Sequence, residues 1–165
     1  LAEVRKAELQ ISPLDMDSIV AEARQRLAYM IQEHQAQLSL PATWPQAVGY
    51  APAIEEVWVN YLSNAIKYGG RPPHIELGAE TQLDGALRFW VRDNGTGVPD
   101  EQQARLFTPF TRLAQARATG HGLGLSIVQG IVRAHHGEIS AANNPTGGAT
   151  FTIRLPVEAT TTPPP

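Results

Sequence analysis

The chain has 165 residues, of which 42% are apolar and 18% are charged, and a formal net charge of −3 at pH 7. This length and apolar content predict one compact domain around one hydrophobic core. Because there is no broad basic field, nucleic acid and anionic membrane surfaces are not expected partners. The sequence has no cysteine, which excludes disulfides and cysteine nucleophiles and is typical of a cytoplasmic protein.

The sequence shows neither a membrane span nor a natural start. Its longest apolar stretches, such as residues 123–132, are broken by Gly, Ser and Gln and fall short of the ~20 residues that a spanning helix needs. The first residue is Leu1, and no signal-peptide pattern follows it. We therefore expect a piece of a longer protein that does not itself insert into a membrane.

The N-terminal part is predicted to form a short strand and then one helix. Residues 1–8 are polar and would end a preceding helix, whereas residues 9–11 alternate as a strand does. From residue 16 to residue 31 the apolar residues keep helical spacing, so one face of this helix should be buried. Asp15 is well placed as its N-cap.

Two short strands and a second helix come next. Residues 37–40 and 47–50 are predicted strands, and prolines separate them. The helix begins near Pro52, and its apolar residues cover one side. It ends at residues 69–70, because two glycines followed by two prolines stop a helix.

The second half is predicted to hold a β-hairpin, a lid and a closing hairpin behind a third helix. Residues 74–82 and 86–92 form the first hairpin around a tight turn. Residues 96–120 lack sustained periodicity, and so long a connection is usually functional or mobile, so we interpret it as a lid. The remaining elements are a helix over 123–135 and strands over 138–141 and 149–155. Three helices and about six or seven strands indicate helices layered on one face of a mixed sheet.

The second helix carries a polar stripe. Glu56, Asn60, Asn64 and Lys67 fall within roughly 80° of arc, opposite the apolar side. Such a stripe is commonly a solvated face. However, asparagine is unfavourable in the middle of a helix, because its side chain competes for backbone hydrogen bonds. Amide oxygens beside an ammonium group are also what magnesium and phosphate require.

Two glycine-containing segments are further candidates. Residues 93–97, Asp-Asn-Gly-Thr-Gly, follow a strand; they are either a plain turn or place Asp93 to accept a hydrogen bond from an amine such as that of adenine. Residues 120–124, Gly-His-Gly-Leu-Gly, open a helix and either form a flexible loop or present backbone N–H groups to phosphate. The second pattern is neither a Rossmann nor a P-loop signature.

In this order and spacing the segments resemble the catalytic domain of sensor histidine kinases, in the wider fold group of gyrase, Hsp90 and MutL ATPases. The matching segments are an N box at residues 60–68, a G1 box at 93–97, an F box at 106–112, a G2 box at 120–124 and a last strand at 148–156. Two positions depart from the family pattern: His121 stands where a small or hydroxyl residue is usual, and glycines follow the N box.

The resemblance implies an α+β fold, a two-layer sandwich in which three helices cover one face of a mixed, mostly antiparallel sheet (a Bergerat-type ATP-binding fold). The ATP-binding domain would span residues 9–157. Residues 1–8 would be the end of a dimerisation hairpin, and residues 158–165, rich in Thr and Pro, would be a disordered tail.

The resemblance also implies a role for each matched residue in binding ATP and magnesium. Asn64, helped by Asn60, would ligate magnesium, and Lys67 and Tyr68 would line the phosphate and ribose side. Asp93 would bind the adenine amine, with Thr150 acting through water. Arg112 would contact phosphate. The residues expected to shape the pocket or lid are Gly95, Gly97, Phe107, Phe110, Gly120, Gly122, Leu123 and Gly124.

The partners that the resemblance implies are a phosphoacceptor hairpin of the same kinase and the receiver domain of a response regulator. None of the five histidines has the His-Glu-x-x-x-Pro context of the family's phosphoacceptor. The chain should therefore bind ATP and pass its γ-phosphate to a histidine elsewhere. The alternatives are a nucleotide-responsive interaction module and a Ser/Thr kinase of the same fold that acts on an anti-anti-sigma protein.

Overall fold

The structure is a computed structural model that describes residues 10–103, 106 and 122–156. The predicted hairpin end at residues 1–8, the tail at 158–165 and most of the lid lie outside the described residues. In chain order the elements are β1 (Ser12–Leu14), α1 (Met16–Arg26), α2 (Ala28–His34), β2 (Gln37–Ser39), β3 (Ala47–Gly49), α3 (Ala51–Tyr68), β4 (His74–Thr81), β5 (Leu87–Arg92), α4 (Asp100–Gln103), α5 (Gly122–Ala134), β6 (Glu138–Asn143) and β7 (Ala149–Leu155).

Five strands form one sheet in the order β2-β4-β5-β7-β6. The pair β2 and β4 is parallel, whereas β4-β5, β5-β7 and β7-β6 are antiparallel. Strands β1 and β3 form a separate antiparallel pair. The predicted mixed, mostly antiparallel sheet is therefore confirmed.

The helices lie on one face of the sheet, and the core sits between. Helix α3 contacts α1, α5 and both β4 and β5. The rings of Trp58 on α3 and Phe89 on β5, each 1% exposed, meet edge to face at 6.3 Å, and Trp44 lies 5.5 Å from Trp58. Such aromatic pairs add about 0.5–1.5 kcal/mol each beyond the area that they bury. This cluster fixes α3, and with it the N box, against the centre of the sheet.

The opposite face of β4 and β5 carries charged side chains around Trp90, over whose ring Arg88 lies at 4.7 Å. Arg88 pairs with Glu80 at 2.7 Å, and Arg92 pairs with Glu76 at 3.3 Å, across neighbouring strands. These side chains are about one third to one half exposed, so each pair contributes little, on the order of 0–1 kcal/mol. The alternation of apolar and charged residues thus directs one face of the hairpin to the helices and the other to solvent.

The predicted first helix is two helices in the structure. Asp15 caps α1 as expected, accepting a hydrogen bond from the Ser18 N–H at 3.2 Å. The helix ends at Leu27, where φ is −104° and ψ is 10°, and α2 begins directly after it. Leu27 stays buried while Tyr29 is 78% exposed. The apolar spacing continues across this bend, so periodicity alone does not show it.

The first strand lies later than predicted, at Ser12–Leu14 instead of residues 9–11. Its position is set by pairing with β3, in which Pro13 lies opposite Val48. Proline lacks an N–H donor but is tolerated in such a short edge pairing. Val48 lies 35 residues from Pro13 along the chain, so the local pattern of residues 9–11 gives no sign of this pairing.

His135 joins the end of α5 to the start of α3. Its Nδ1 lies 2.8 Å from the Ile131 carbonyl oxygen, and its Nε2 accepts a hydrogen bond from the Tyr50 N–H at 3.0 Å. Only the neutral ring can donate from Nδ1 and accept at Nε2. Burial, with a smaller contribution from His136, lowers the pKa of His135 below its usual value. The structure therefore holds this histidine neutral.

This arrangement predicts a loss of stability in mild acid. Below the unfolded pKa of about 6.5 the unfolded chain takes up a proton that the native chain refuses, so the free energy of unfolding falls as pH falls through that range. Urea unfolding between about pH 8 and pH 5.5 should show this fall, and His135→Gln should flatten it. An equal pH dependence in both proteins would contradict the assignment.

Within the part of the chain that the structure describes, no helix is long and apolar enough to cross a membrane.

Candidate nucleotide-binding site

A pocket of about 400 Å³ opens between the end of α3, the loop after β5 and the start of β7. It contains four of the predicted site residues, namely Asn64, Tyr68, Asp93 and Gly97. The other residues that line it are Thr96, Val98, Pro99, Gln102, Ala149 and Phe151. The N box and the G1 box, which are far apart in the sequence, therefore form two walls of one cavity.

Asp93 lies in this pocket and is 7% exposed. Its Oδ1 accepts hydrogen bonds from the backbone N–H of Gly95 at 2.9 Å and of Ala149 at 3.1 Å. Burial raises the pKa of Asp93, and these two hydrogen bonds oppose the rise. No hydrogen bond joins Oδ2 to another described residue. The carboxylate is thus fixed through one oxygen and keeps the other as an acceptor.

The backbone of Asp93 is held from the β6-β7 turn. Its N–H donates to the Ala149 carbonyl at 2.9 Å, and its carbonyl accepts from Asn144 Nδ2 at 3.0 Å. Gly148 has a φ of +88°, and a Cβ there would lie 2.0 Å from the Asp93 carbonyl oxygen. Only glycine fits this approach, because the left-handed conformation and the contact both exclude a side chain.

Asn94 ties the G1 box to the loop after α3. Its Oδ1 accepts from the N–H of Gly70 at 2.8 Å and of His74 at 2.9 Å, and its Nδ2 donates to the Pro72 carbonyl at 3.3 Å. A Cβ on Gly70 would lie 2.6 Å from Asn94 Nδ2. The glycines that follow the N box, a departure from the family pattern, therefore make room for this contact.

The loop after β5, residues 93–98, contains the G1 box and is called the G1 loop below. It also passes close to the end of α3. A Cβ on Gly95 would lie 2.0 Å from the Tyr68 carbonyl oxygen. Gly97 has a φ of +82°, and a Cβ there would lie 2.6 Å from Asn143 Oδ1. The two glycines of the G1 box thus have separate tasks, since one admits the helix end and the other admits a side chain of β6.

The polar stripe of α3 is not simply a solvated face. Glu56 pairs with Arg26 of α1 at 2.7 Å, and Asn60 Nδ2 donates to the Glu56 carbonyl at 2.7 Å. Asn64 lines the pocket and is only 9% exposed. No hydrogen bond joins its amide to another described residue. Among the described residues Asn64 is therefore a nearly buried amide in the pocket wall that has no hydrogen-bond partner, which is uncommon.

The family model of histidine kinase-, DNA gyrase B- and HSP90-like ATPases matches residues 49–159. The chain belongs to this family. The adaptive-response sensory kinase SasA of Synechococcus sp. (strain CC9902) is 33% identical over 148 residues, which cover 87% of this chain and 39% of SasA. The sensor protein KdpD of Escherichia coli (strain K12) is 37% identical over 145 residues, which cover 87% of this chain and 16% of KdpD.

Among solved structures, the mycobacterial sensor histidine kinase MprB is similar with a TM-score of 0.76 at 25% identity, covering 88% of this chain and 97% of that one. MprB is therefore matched over nearly its whole solved chain, whereas this chain spans less than half the length of SasA and of KdpD. The comparisons support the expected fold and the ATP-binding family, and they leave the residue roles to the geometry of the site.

Four residues predicted from the N box, the G1 box and the last strand are not part of the pocket lining, namely Asn60, Lys67, Gly95 and Thr150. Lys67 is half-buried one turn along α3, and burial lowers its pKa. The Thr150 hydroxyl donates to Asn144 Oδ1 and accepts from Arg92 Nε at 3.4 Å. Because neighbouring residues of a strand point to opposite faces, Thr150 turns away from the face on which Ala149 and Phe151 line the pocket.

The remaining predicted residues belong to the lid and the G2 box. Gly122, Leu123 and Gly124 form the first turn of α5, so the glycines do open a helix as expected. Four predicted positions lie outside the described residues: Phe107, Phe110, Arg112 and Gly120.

Sequence reasoning missed the asparagines that hold the site together. The sequence pattern explains Asn94 only as part of a turn. It gives no role to Asn143 and Asn144, which precede Pro145. It also missed Val98 and Phe151 as pocket walls. The pair Asn143-Asn144 just before the last strand was the available signal. Asparagine side chains often form hydrogen bonds with backbone groups, so such a pair indicates a fixed loop.

The close approach of the backbone at Gly95 predicts that adding one methyl group there destabilises the fold. Gly95→Ala should lower the free energy of unfolding by about 1–3 kcal/mol, because the added Cβ meets backbone that cannot rotate away. Gly130→Ala is the matched control, since a Cβ there meets nothing within 4 Å. It should raise stability by about 0.5–1 kcal/mol within α5. Urea unfolding checks both, and a harmless Gly95→Ala would contradict the close approach.

Proposed function

We propose that this chain is the catalytic domain of a sensor histidine kinase, which binds Mg·ATP and transfers its γ-phosphate to a histidine on a separate dimerisation hairpin. The receiver domain of a response regulator would then take the phosphoryl group. One observation carries the proposal: the fixed carboxylate of Asp93 lies in the same pocket as the amide of Asn64, which has no hydrogen-bond partner among the described residues. These groups suit opposite ends of a nucleotide.

At the base end, Asp93 Oδ2 would accept a hydrogen bond from the exocyclic amine of adenine. Val98, Ala149 and Phe151 supply apolar surface to the ring from the surrounding walls. A ligand with an oxygen in place of the amine would set two acceptors against each other, which leaves a buried polar group unpaired. The pocket therefore favours adenine over guanine.

At the phosphate end, Asn64 would ligate magnesium through its amide oxygen, and Asn60 would assist. The donor set fits this ion, because magnesium prefers oxygen ligands and keeps several of its waters. Since Asn60 Nδ2 already donates to the Glu56 carbonyl, the Asn60 Oδ1 is the atom left for the ion. When bound, magnesium would neutralise phosphate charge.

The two other contributors at that end would be Lys67 and the N-terminus of α5, which begins at Gly122. An ammonium group adds positive charge for phosphate oxygens. Free backbone N–H groups at a helix N-terminus attract anions. Phosphoryl transfer needs mainly positioning and charge neutralisation, which this set of groups supplies.

The phosphate acceptor has to come from outside the pocket. Of the histidines that the structure describes, none lines the pocket. His135 is fixed by two hydrogen bonds at the far end of α5. In this proposal a separate hairpin that bears the acceptor histidine would be the partner that completes the reaction.

The test mixes this chain with γ-labelled ATP, magnesium and a separate hairpin domain of its parent kinase that carries the acceptor histidine. Label should move to the hairpin. Asn64→Ala should slow the transfer at least ~10-fold, because losing even an outer-shell partner of a bound metal typically costs that much. Ser63→Ala, a neighbour on α3 whose hydroxyl donates to the Asn60 carbonyl, is the control and should transfer normally.

Nucleotide binding without movement of label to the native hairpin would contradict the transferase and leave a nucleotide-responsive interaction module. Equal rates for Asn64→Ala and Ser63→Ala would contradict the magnesium assignment while leaving the kinase in place.

A further inference from the structure

Asn143 and Asn144, at the junction of β6 and its turn, contact both ends of the G1 loop. Asn143 Oδ1 accepts from the Val98 N–H at 2.8 Å, and its Nδ2 donates to the Val98 carbonyl at 2.8 Å. Asn144 Nδ2 donates to the Asp93 carbonyl at 3.0 Å. Successive residues of a strand point in opposite directions, which is why two neighbours reach two different parts of one loop.

Each asparagine is itself fixed. Gly97 leaves space for Asn143, since a Cβ there would lie 2.6 Å from Asn143 Oδ1. Asn144 Oδ1 accepts from the Thr150 hydroxyl, and its own N–H donates to the Gly148 carbonyl at 2.8 Å. The Val98 carbonyl also accepts from Gln103 Nε2 at 3.1 Å, whereas among the described residues its N–H has only Asn143 as a partner.

We propose that Asn143 and Asn144 are the positioning residues that set the selectivity of the pocket for adenine over guanine, without contacting the nucleotide. Asn144 holds the backbone that carries the acceptor Asp93, and Asn143 holds Val98, which lines the pocket beyond it. These three hydrogen bonds fix the distance between the Asp93 carboxylate and the Val98 wall of the pocket. This inference rests on the proposed binding of ATP in this pocket.

The physical reason is that discrimination requires a rigid site. Guanine has an oxygen where adenine has its exocyclic amine, so in a fixed pocket it faces the Asp93 carboxylate acceptor to acceptor. A loop that can shift lets the carboxylate move away and removes that penalty. The same movement weakens the hydrogen bond to adenine. Loosening the loop thus lowers the affinity for ATP more than the affinity for GTP.

The Thr150 hydroxyl joins this arrangement from the far face of the sheet. It donates to Asn144 and so acts on Asp93 through a side chain, at a position where the family resemblance implied contact through water. Thr150→Val should therefore behave as a weaker form of Asn144→Ala, and Thr150→Ser, which keeps the hydroxyl, should behave as the unmodified chain.

The experiment measures the dissociation constants of ATP and GTP, with magnesium, for the unmodified chain, Asn143→Ala, Asn144→Ala and Ser140→Ala. Ser140 is exposed on the same strand, away from the loop. Each asparagine variant should weaken ATP about tenfold, the scale of one or two hydrogen bonds, with little change for GTP. The ATP preference should therefore fall about tenfold, and Ser140→Ala should keep it.

If Asn143 and Asn144 only stabilise the fold, the ATP and GTP dissociation constants show a different pattern of change. If ATP and GTP weaken equally, or if neither changes, the inference is wrong although the chain binds ATP. If the unmodified chain binds neither nucleotide, the proposed function fails and this inference fails with it.

A second measurement needs no variant and covers the case of poor folding. In the unmodified chain the amide proton of Val98, which Asn143 accepts, should exchange slowly, and ATP should slow it further. Rapid exchange of this proton with ATP bound would overturn the inference.

Discussion

The site depends on two backbone N–H groups that hold one oxygen of Asp93. Gly95 donates from the next turn of the same loop, and Ala149 donates from the last strand, so the carboxylate links two parts of the chain that are distant in sequence. Burial disfavours its charge, and these hydrogen bonds offset part of that cost. The result is an acceptor that is already oriented before a ligand arrives.

Close backbone approach is what allows this geometry. Gly95 lies against the end of α3 at Tyr68, and Gly148 lies against Asp93. Helix α3 in turn is fixed by Trp58 in the aromatic core, so the position of Asn64 follows from packing far from the pocket. The nucleotide site is therefore a property of how the helix layer sits on the sheet, and not of any single motif.

The sequence was sufficient for the main helices and for the two hairpins, because helical spacing and alternation are local signals. The G1 box was identified through the family resemblance, since its residues alone are equally those of a plain turn. The sequence was not sufficient for the bend at Leu27 or for the later start of the first strand, which depend on distant partners. The resemblance implied that Thr150 acts at the adenine amine through water, and in the structure its hydroxyl donates to Asn144, a contact that matching of residues does not show. Asn143 was missed because its partner, Val98, is 45 residues away.

The most direct test of the central claim is a calorimetric ATP titration of the unmodified chain, Asp93→Asn and Asp17→Asn. Asp17 is an exposed carboxylate in the first turn of α1 and controls for loss of charge alone. Asp93→Asn places an amide where an acceptor is needed, so ATP should weaken at least ~10-fold, the scale of one charged hydrogen bond, with and without magnesium. Asp17→Asn should bind normally. Equal affinity in all three proteins would contradict the assignment of Asp93 as the adenine acceptor.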